Sequence, residues 1–139
     1  MQSLTDAFGI VAAVILGLLS LLHVYWAFGT RGTSAVIPTV DGRATLTPSR
    51  TATLVVAVLL ALSAVILLGG VLGWAPTWMF RTGAAGVGVV LLARAIGDGR
   101  TVGFSKRIRD TQFARNDTRF FAPLCLVLGA SAVGVALVA

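Results

Sequence analysis

Residues 8–26, 52–73, 82–96 and 120–139 are four runs made almost wholly of Ala, Val, Leu, Ile and Gly, and nearly every cation lies in only two of the segments between them. A helix needs roughly 20 apolar residues to cross a hydrocarbon core about 30 Å thick. Three of the runs meet that length, and the run at 82–96 reaches it when the helix starts near Pro76 and carries Arg81 and Arg94 towards its ends. Lipid offers no partner to a backbone N–H or C=O, so a spanning segment is either a helix or a strand of a closed barrel. Barrel strands alternate apolar and polar residues, and these runs do not. The sequence therefore predicts an all-α polytopic membrane protein. It forms one four-transmembrane-helix bundle over residues 1–139, with spans at about 8–28, 52–73, 77–97 and 120–139 and loops at 29–51 and 98–119.

Composition agrees. The chain is 57% hydrophobic and 12% charged, whereas an ordinary soluble domain carries about 25% charged residues. The first run is expected to stay in the protein rather than be cleaved as a signal peptide. No basic residue precedes it, and Tyr25, Trp26 and Phe28 stand where a small-residue cleavage site belongs.

The net charge of +6 comes from 11 basic and 5 acidic residues, and every acid is Asp. The cations flank apolar spans, and no nucleic-acid module accompanies them. Membrane lipids are thus the expected partners, with a second copy or another membrane protein as alternatives, and nucleic acid is not. One segment carries Arg31, Arg43 and Arg50, and the other Arg100, Lys106, Arg107, Arg109, Arg115 and Arg119; the opposite side has Arg81 alone. The positive-inside rule then puts both loops in the cytoplasm and both termini outside, in a multi-pass plasma-membrane protein. Trp74 and Trp78 bracket Pro76 at the outer surface, a depth that indole rings favour.

Small residues recur at intervals of four: Gly9, Ala13 and Gly17 in the first span, Gly69 and Gly73 in the second, Ala84 and Gly88 in the third, Ala130 and Gly134 in the fourth. Such ridges let membrane helices approach closely, either within the bundle or between protomers. Residues 27–33 and 95–101 resemble each other, a pattern that two hairpins related by an axis along the membrane normal would give and that Gly- and Ala-rich sequence also gives by chance.

Polar groups inside a span are expensive, and so they are where function is sought. His23 is the only histidine, with Trp26 one turn on. It reads as a proton carrier or as a side chain bonded to a neighbouring helix. Arg94 and Asp98 stand four apart and are expected to pair on one helix face, with Arg100 as a second cation for Asp98. Asp117, just before the fourth run, reads as a helix N-cap. Residues 104–115 mix Phe104, Ile108 and Phe113 with cations and read either as an amphipathic surface helix or as a basic loop. Cys125 reads as a small buried apolar residue. A single cysteine and a single histidine leave no metal-ligand spacing, so neither metal nor cofactor is expected.

The blocks Leu22-His-Val-Tyr-Trp-Ala-Phe-Gly29, Val36-Ile-Pro-Thr-Val-Asp-Gly-Arg43, Arg94-Ala-Ile-Gly-Asp-Gly-Arg100 and Phe113-Ala-Arg-Asn-Asp-Thr-Arg-Phe-Phe-Ala-Pro-Leu-Cys125 together resemble a bacterial family of small four-span membrane proteins catalogued as a domain of unknown function. The resemblance implies the fold and the membrane location, and it brings no activity or catalytic residue with it.

Three functions compete. In the first, His23, Trp26, Arg94, Asp98 and Arg100 line a polar pocket near the cytoplasmic leaflet that binds or transports a lipid or small amphiphile. In the second, His23 and Asp98 carry protons in an intramembrane enzyme. In the third, the small-residue ridges dock the chain into a larger membrane complex. The absence of any Glu and of a Ser, His and Asp grouping weighs against the enzyme.

Overall fold

A computed structural model describes residues 2–29, 36–41, 43–44 and 48–139. Four helices long and apolar enough to cross a membrane dominate it. Helix α1 (Gln2–Phe28) leads through a two-strand turn, β1 (Thr39–Val40) and β2 (Arg43–Ala44), to α2 (Arg50–Val71) and α3 (Thr77–Ile96). The fourth span is composite: α4 (Gln112–Asn116), a π-helical turn (Asp117–Phe121) and α5 (Ala122–Val138) run on from one another.

The helix ends follow from local chemistry. Ser49 caps α2 by accepting from the Ala52 N–H at 3.1 Å. Pro76 is the N-cap of α3, one position before the first turn that its fixed φ suits. Arg50 closes α1: its Nε donates to the Ala27 carbonyl at 3.1 Å, and its guanidinium lies 5.3 Å over the Phe28 ring. A cation there meets the negative end of the helix dipole.

The helices form two antiparallel hairpins, α1 with α2 and α3 with α5, joined through the short turn at residues 72–76. Ser20 Oγ donates to the Ala57 carbonyl at 2.7 Å inside the first hairpin. Ala12, Ala13, Leu16, Ala64, Leu67, Ala84, Leu128, Ala132 and Val135 form the shared core. Towards the loop end each spanning helix then supplies one leucine (Leu19, Leu60, Leu91 and Leu124) that packs on this core while only partly buried.

The predicted ridges divide into contacts and open faces. A Cβ on Gly9 would press into Val71 and Val135 at 2.6 and 2.7 Å, and one on Gly88 would meet Val133 at 2.7 Å. Gly69 lies under the Phe80 ring. Gly17, however, has nothing within 4 Å, and Gly73 lies beyond the end of α2. In α5 the glycine that packs tightly is Gly129, against Leu92, whereas Ala130 and Gly134 line an open apolar groove of about 320 Å³ with Thr5 and Phe8. Small size allows close packing, but which face of the helix carries it is decided by the neighbours. Ala13 is 2% exposed and Val14 56%. Ala13→Leu is therefore expected to cost about 2 kcal/mol by overpacking, while Val14→Leu leaves the melting temperature in detergent unchanged.

Positions 30–33, which hold Arg31 and the latter part of the first copy (27–33) of the internal echo, lie outside the described residues. Of the two readings of residues 104–115, the loop holds over 104–111, and residues 112–115 belong to α4. The loop is a tightly bonded cap, and the candidate site is built from it.

Candidate functional site

Helix α3 stops at Ile96 because Gly97 adopts φ 91 and ψ −171, a conformation essentially confined to glycine. The chain turns back on itself so closely that a Cβ on Gly97 would overlap the Val102 carbonyl. The returning chain satisfies the helix end. Phe104 N–H donates to the Ala95 carbonyl at 2.8 Å and Ser105 N–H to that of Ile96 at 3.0 Å. Ser105 Oγ adds a bond to Ile96 at 2.7 Å.

The expected Arg94–Asp98 pair does not form. The i, i+4 geometry requires both residues on one helix, and Asp98 lies beyond the helix end. Its carboxylate instead organises the turn, with Oδ1 accepting from the N–H groups of Arg100, Thr101 and Val102 at 2.8, 2.7 and 3.0 Å. Oδ2 accepts from Thr101 Oγ1 at 2.7 Å. The hydrogen bonds from Val102 and Thr101, followed by those from the other backbone groups, hold this exposed carboxyl well below the usual carboxylate range. A depressed folded-state pKa means that the stabilisation is complete above the unfolded value of 3.8 and is lost as the pH falls through the folded one. Asp98→Ala is expected to cost about 1 kcal/mol after solvent screening. The gap from wild type should be constant between neutral pH and about pH 5 and close below pH 4, read from melting curves across that range.

The cap delivers two groups to Asp117. Gly103 N–H donates to Asp117 Oδ2 at 2.7 Å. Lys106 Nζ reaches the same oxygen at 3.0 Å, the Gly103 carbonyl at 2.8 Å and Thr118 Oγ1 at 2.6 Å. From α3, Arg94 Nη2 donates to Asp117 Oδ1 at 2.8 Å. The side chains of Asp117 and Lys106 are fully buried, and that of Arg94 is 33% exposed. Asp117 is thus not the N-cap that its position suggests. The helix begins earlier, at Thr111, whose Oγ1 accepts from the Ala114 N–H at 3.0 Å. Asp117 instead opens the π turn, which ends two residues before Pro123, a residue whose missing N–H interrupts the i→i−4 ladder. Such single wide turns are frequent at functional sites.

Two cations surround one carboxylate, so the cluster keeps an excess positive charge. All three Lys106 N–H groups have acceptors. On Arg94, by contrast, Nη1 is buried and has no hydrogen-bond partner among the described residues.

Of the other expected site residues, His23 and Trp26 meet edge to face with ring centroids 5.0 Å apart. His23 Nδ1 is 2.8 Å from the Leu19 carbonyl of its own helix. Among the described residues neither bonds to Arg94 or Asp98. Arg100 contributes through its backbone: its N–H goes to Asp98, and its carbonyl accepts from Arg107 and Ile108 at 3.2 and 3.0 Å. Lys106, Gly103 and the central role of Asp117 are not evident from motif spacing alone. One sequence signal does mark Asp117: Phe113, Asp117, Phe121, Leu124 and Leu128 recur at intervals of four and three, which puts the carboxylate on the inward face. Among the described residues no three His, Cys, Asp or Glu gather where a metal could bind.

No curated protein and no solved structure matches the chain. The model of one protein family does, over residues 16–132, and the chain belongs to that family, described as protein of unknown function (DUF3995).

Proposed function

We propose that the chain is a small membrane-embedded binding protein that takes a lipid or small amphiphile of negative charge at the loop end of its bundle. The observation that carries this reading is Arg94 Nη1, a buried donor with no hydrogen-bond partner among the described residues. A buried donor without a partner is costly, and an ionisable residue in a span marks a binding site by default. The site lies beyond the leucine layer, at the end where His23 and Trp26 also sit. His23 falls seven residues after buried Leu16 and three after buried Ser20 and yet is only partly buried.

The same reading puts the loop end on the cytoplasmic side of the plasma membrane, from the cation asymmetry alone. With Cys125 replaced by Ser, a cysteine at exposed Arg107 should react with an impermeant maleimide only after the cells are opened, and one at Gln2 should react in intact spheroplasts. The opposite pattern would reverse the leaflet. Position 33, the natural labelling site in the first loop, lies outside the described residues.

Binding itself is tested by native mass spectrometry of protein released from mild detergent. Wild type should carry a retained anionic amphiphile that Arg94→Gln loses. Equal retention by the two proteins would remove Arg94 from the site and with it the argument for this function.

A further inference from the structure

We infer that the exposed arginines of the cap form a docking surface for anionic phospholipid headgroups of the leaflet in which the cap lies. This surface is separate from the Arg94 cluster and stands whether or not that site is filled. The carboxylates that could neutralise it are already engaged. Residues 97–119 hold three: Asp117 is buried between Arg94 and Lys106, Asp98 is bonded into its own turn, and only Asp110 is left on the surface. Against them stand Arg100, Arg107, Arg109, Arg115 and Arg119, all exposed. Among the described residues none of the five pairs with a carboxylate. Arg109 and Arg115 bond only to the carbonyls of Phe104 and Asp110, and each guanidinium has five N–H donors to place.

Depth identifies the anion. The fourth span runs for 27 residues, Gln112–Val138, or about 40 Å at the helical rise, against a hydrocarbon core of about 30 Å. Residues 120–138 carry no charge and are long enough to cover that core by themselves. Residues 112–119, with Arg115 and Arg119, then stand in the headgroup layer. The cap is fastened at the same level. Gly103 N–H and Lys106 Nζ bond to Asp117 at 2.7 and 3.0 Å, Phe104 N–H bonds to the Ala95 carbonyl in the last turn of α3, and Arg109 bonds back to Phe104. Phe104 and Ile96 expose apolar surface beside these cations, as groups at a lipid edge do. Lipid phosphates are the anions of this layer, and the arginine fork fits their oxygens. A headgroup of net negative charge is favoured over phosphatidylcholine, whose ammonium the same arginines repel.

The test uses the full chain in nanodiscs of phosphatidylcholine with a minor fraction of phosphatidylglycerol. Lipids that leave with the protein in mild detergent are counted by native mass spectrometry, at low and high salt. Wild type should carry an excess of phosphatidylglycerol over its share of the disc, and high salt should remove the excess because exposed charges are screened. The triple variant Arg100→Gln/Arg107→Gln/Arg119→Gln removes guanidiniums that make no hydrogen bond among the described residues. It should melt close to wild type and lose the excess, each arginine contributing about fivefold. Arg81→Gln makes the same kind of change at the opposite end of the bundle and should keep the excess. Arg94→Gln should also keep the salt-sensitive excess, so that this surface and the Arg94 site fail separately.

An equal excess in the triple variant, or an equal loss in Arg81→Gln, would overturn the inference. A labelled oligonucleotide or polyglutamate that binds wild type in pure phosphatidylcholine discs, and that phosphatidylglycerol does not displace, would give the surface to a soluble polyanion and overturn it too.

Discussion

Asp117→Asn is expected to cost about 3–5 kcal/mol, the range for removing one partner of a fully desolvated ion pair, and to be the most damaging single substitution among the charged residues. The magnitude follows from what remains. Lys106 is entirely buried, and its amine is held by Asp117, the Gly103 carbonyl and Thr118. Without the carboxylate its charge sits in a medium that solvates it poorly, beside Arg94, a second cation with nothing between them. The Gly103 N–H also loses its carboxylate acceptor. Asp110→Asn, at an exposed position, should change stability by no more than about 0.5 kcal/mol. Because the burial penalty falls on an ion left unpaired, Lys106→Met, which leaves Asp117 paired with Arg94 and bonded by the Gly103 N–H, should cost less than Asp117→Asn. The pair together should lose far less than the sum. A double-mutant cycle read from melting in detergent checks this. Strict additivity would show that Lys106 and Asp117 do not depend on each other, whatever their separation.

The four spans are legible because the bilayer imposes them. A segment with no water to satisfy its backbone must be helical and long, and that demand is visible in any run of Ala, Val, Leu and Gly. The cap is not legible in the same way, since side chains bonding to backbone set it and such bonds leave no period. Arg94 and Asp98 carry the spacing of a helical pair, but Gly97 turns the chain before the second residue is reached. Asp117 stands before an apolar run as a cap does, yet the helix has already started at Thr111 and Gln112. Lys106, in a run of surface cations, has no local mark to distinguish it from Arg107, and only the fold tells that one is buried and the other exposed. The ridges were half legible for a related reason: Gly9 and Gly17 share a spacing, but only Gly9 has Val71 and Val135 against it.

Gly97→Ala is expected to be nearly as damaging as loss of Asp117, and by a different route. At φ 91 and ψ −171 a side chain costs on the order of 1–3 kcal/mol from backbone conformation alone. Here the methyl group would also overlap the Val102 carbonyl and crowd the Cα of Gly103. Those atoms are backbone and cannot rotate away, so the turn would have to open. Opening it pulls Gly103 and Lys106 off Asp117, and the ion cluster would fail although none of its members has changed. A total of about 3–5 kcal/mol follows, with the overlap adding to the conformational term. Two controls separate these contributions. Gly99→Ala has a positive φ of 75 but nothing within 4 Å of a new Cβ, so it should lose only the conformational part, about 1–2 kcal/mol. Gly86→Ala lies in α3 with open space around it, and it should be neutral or slightly stabilising because alanine favours the helix. Hydrogen exchange then locates the damage: Gly97→Ala should deprotect the Gly103, Phe104 and Ser105 amides while those of α1 and α2 stay protected. Uniform loss of protection across all four spans would mean that the cap and the bundle unfold as one unit. The ion cluster would then be holding the two hairpins together rather than only closing the second.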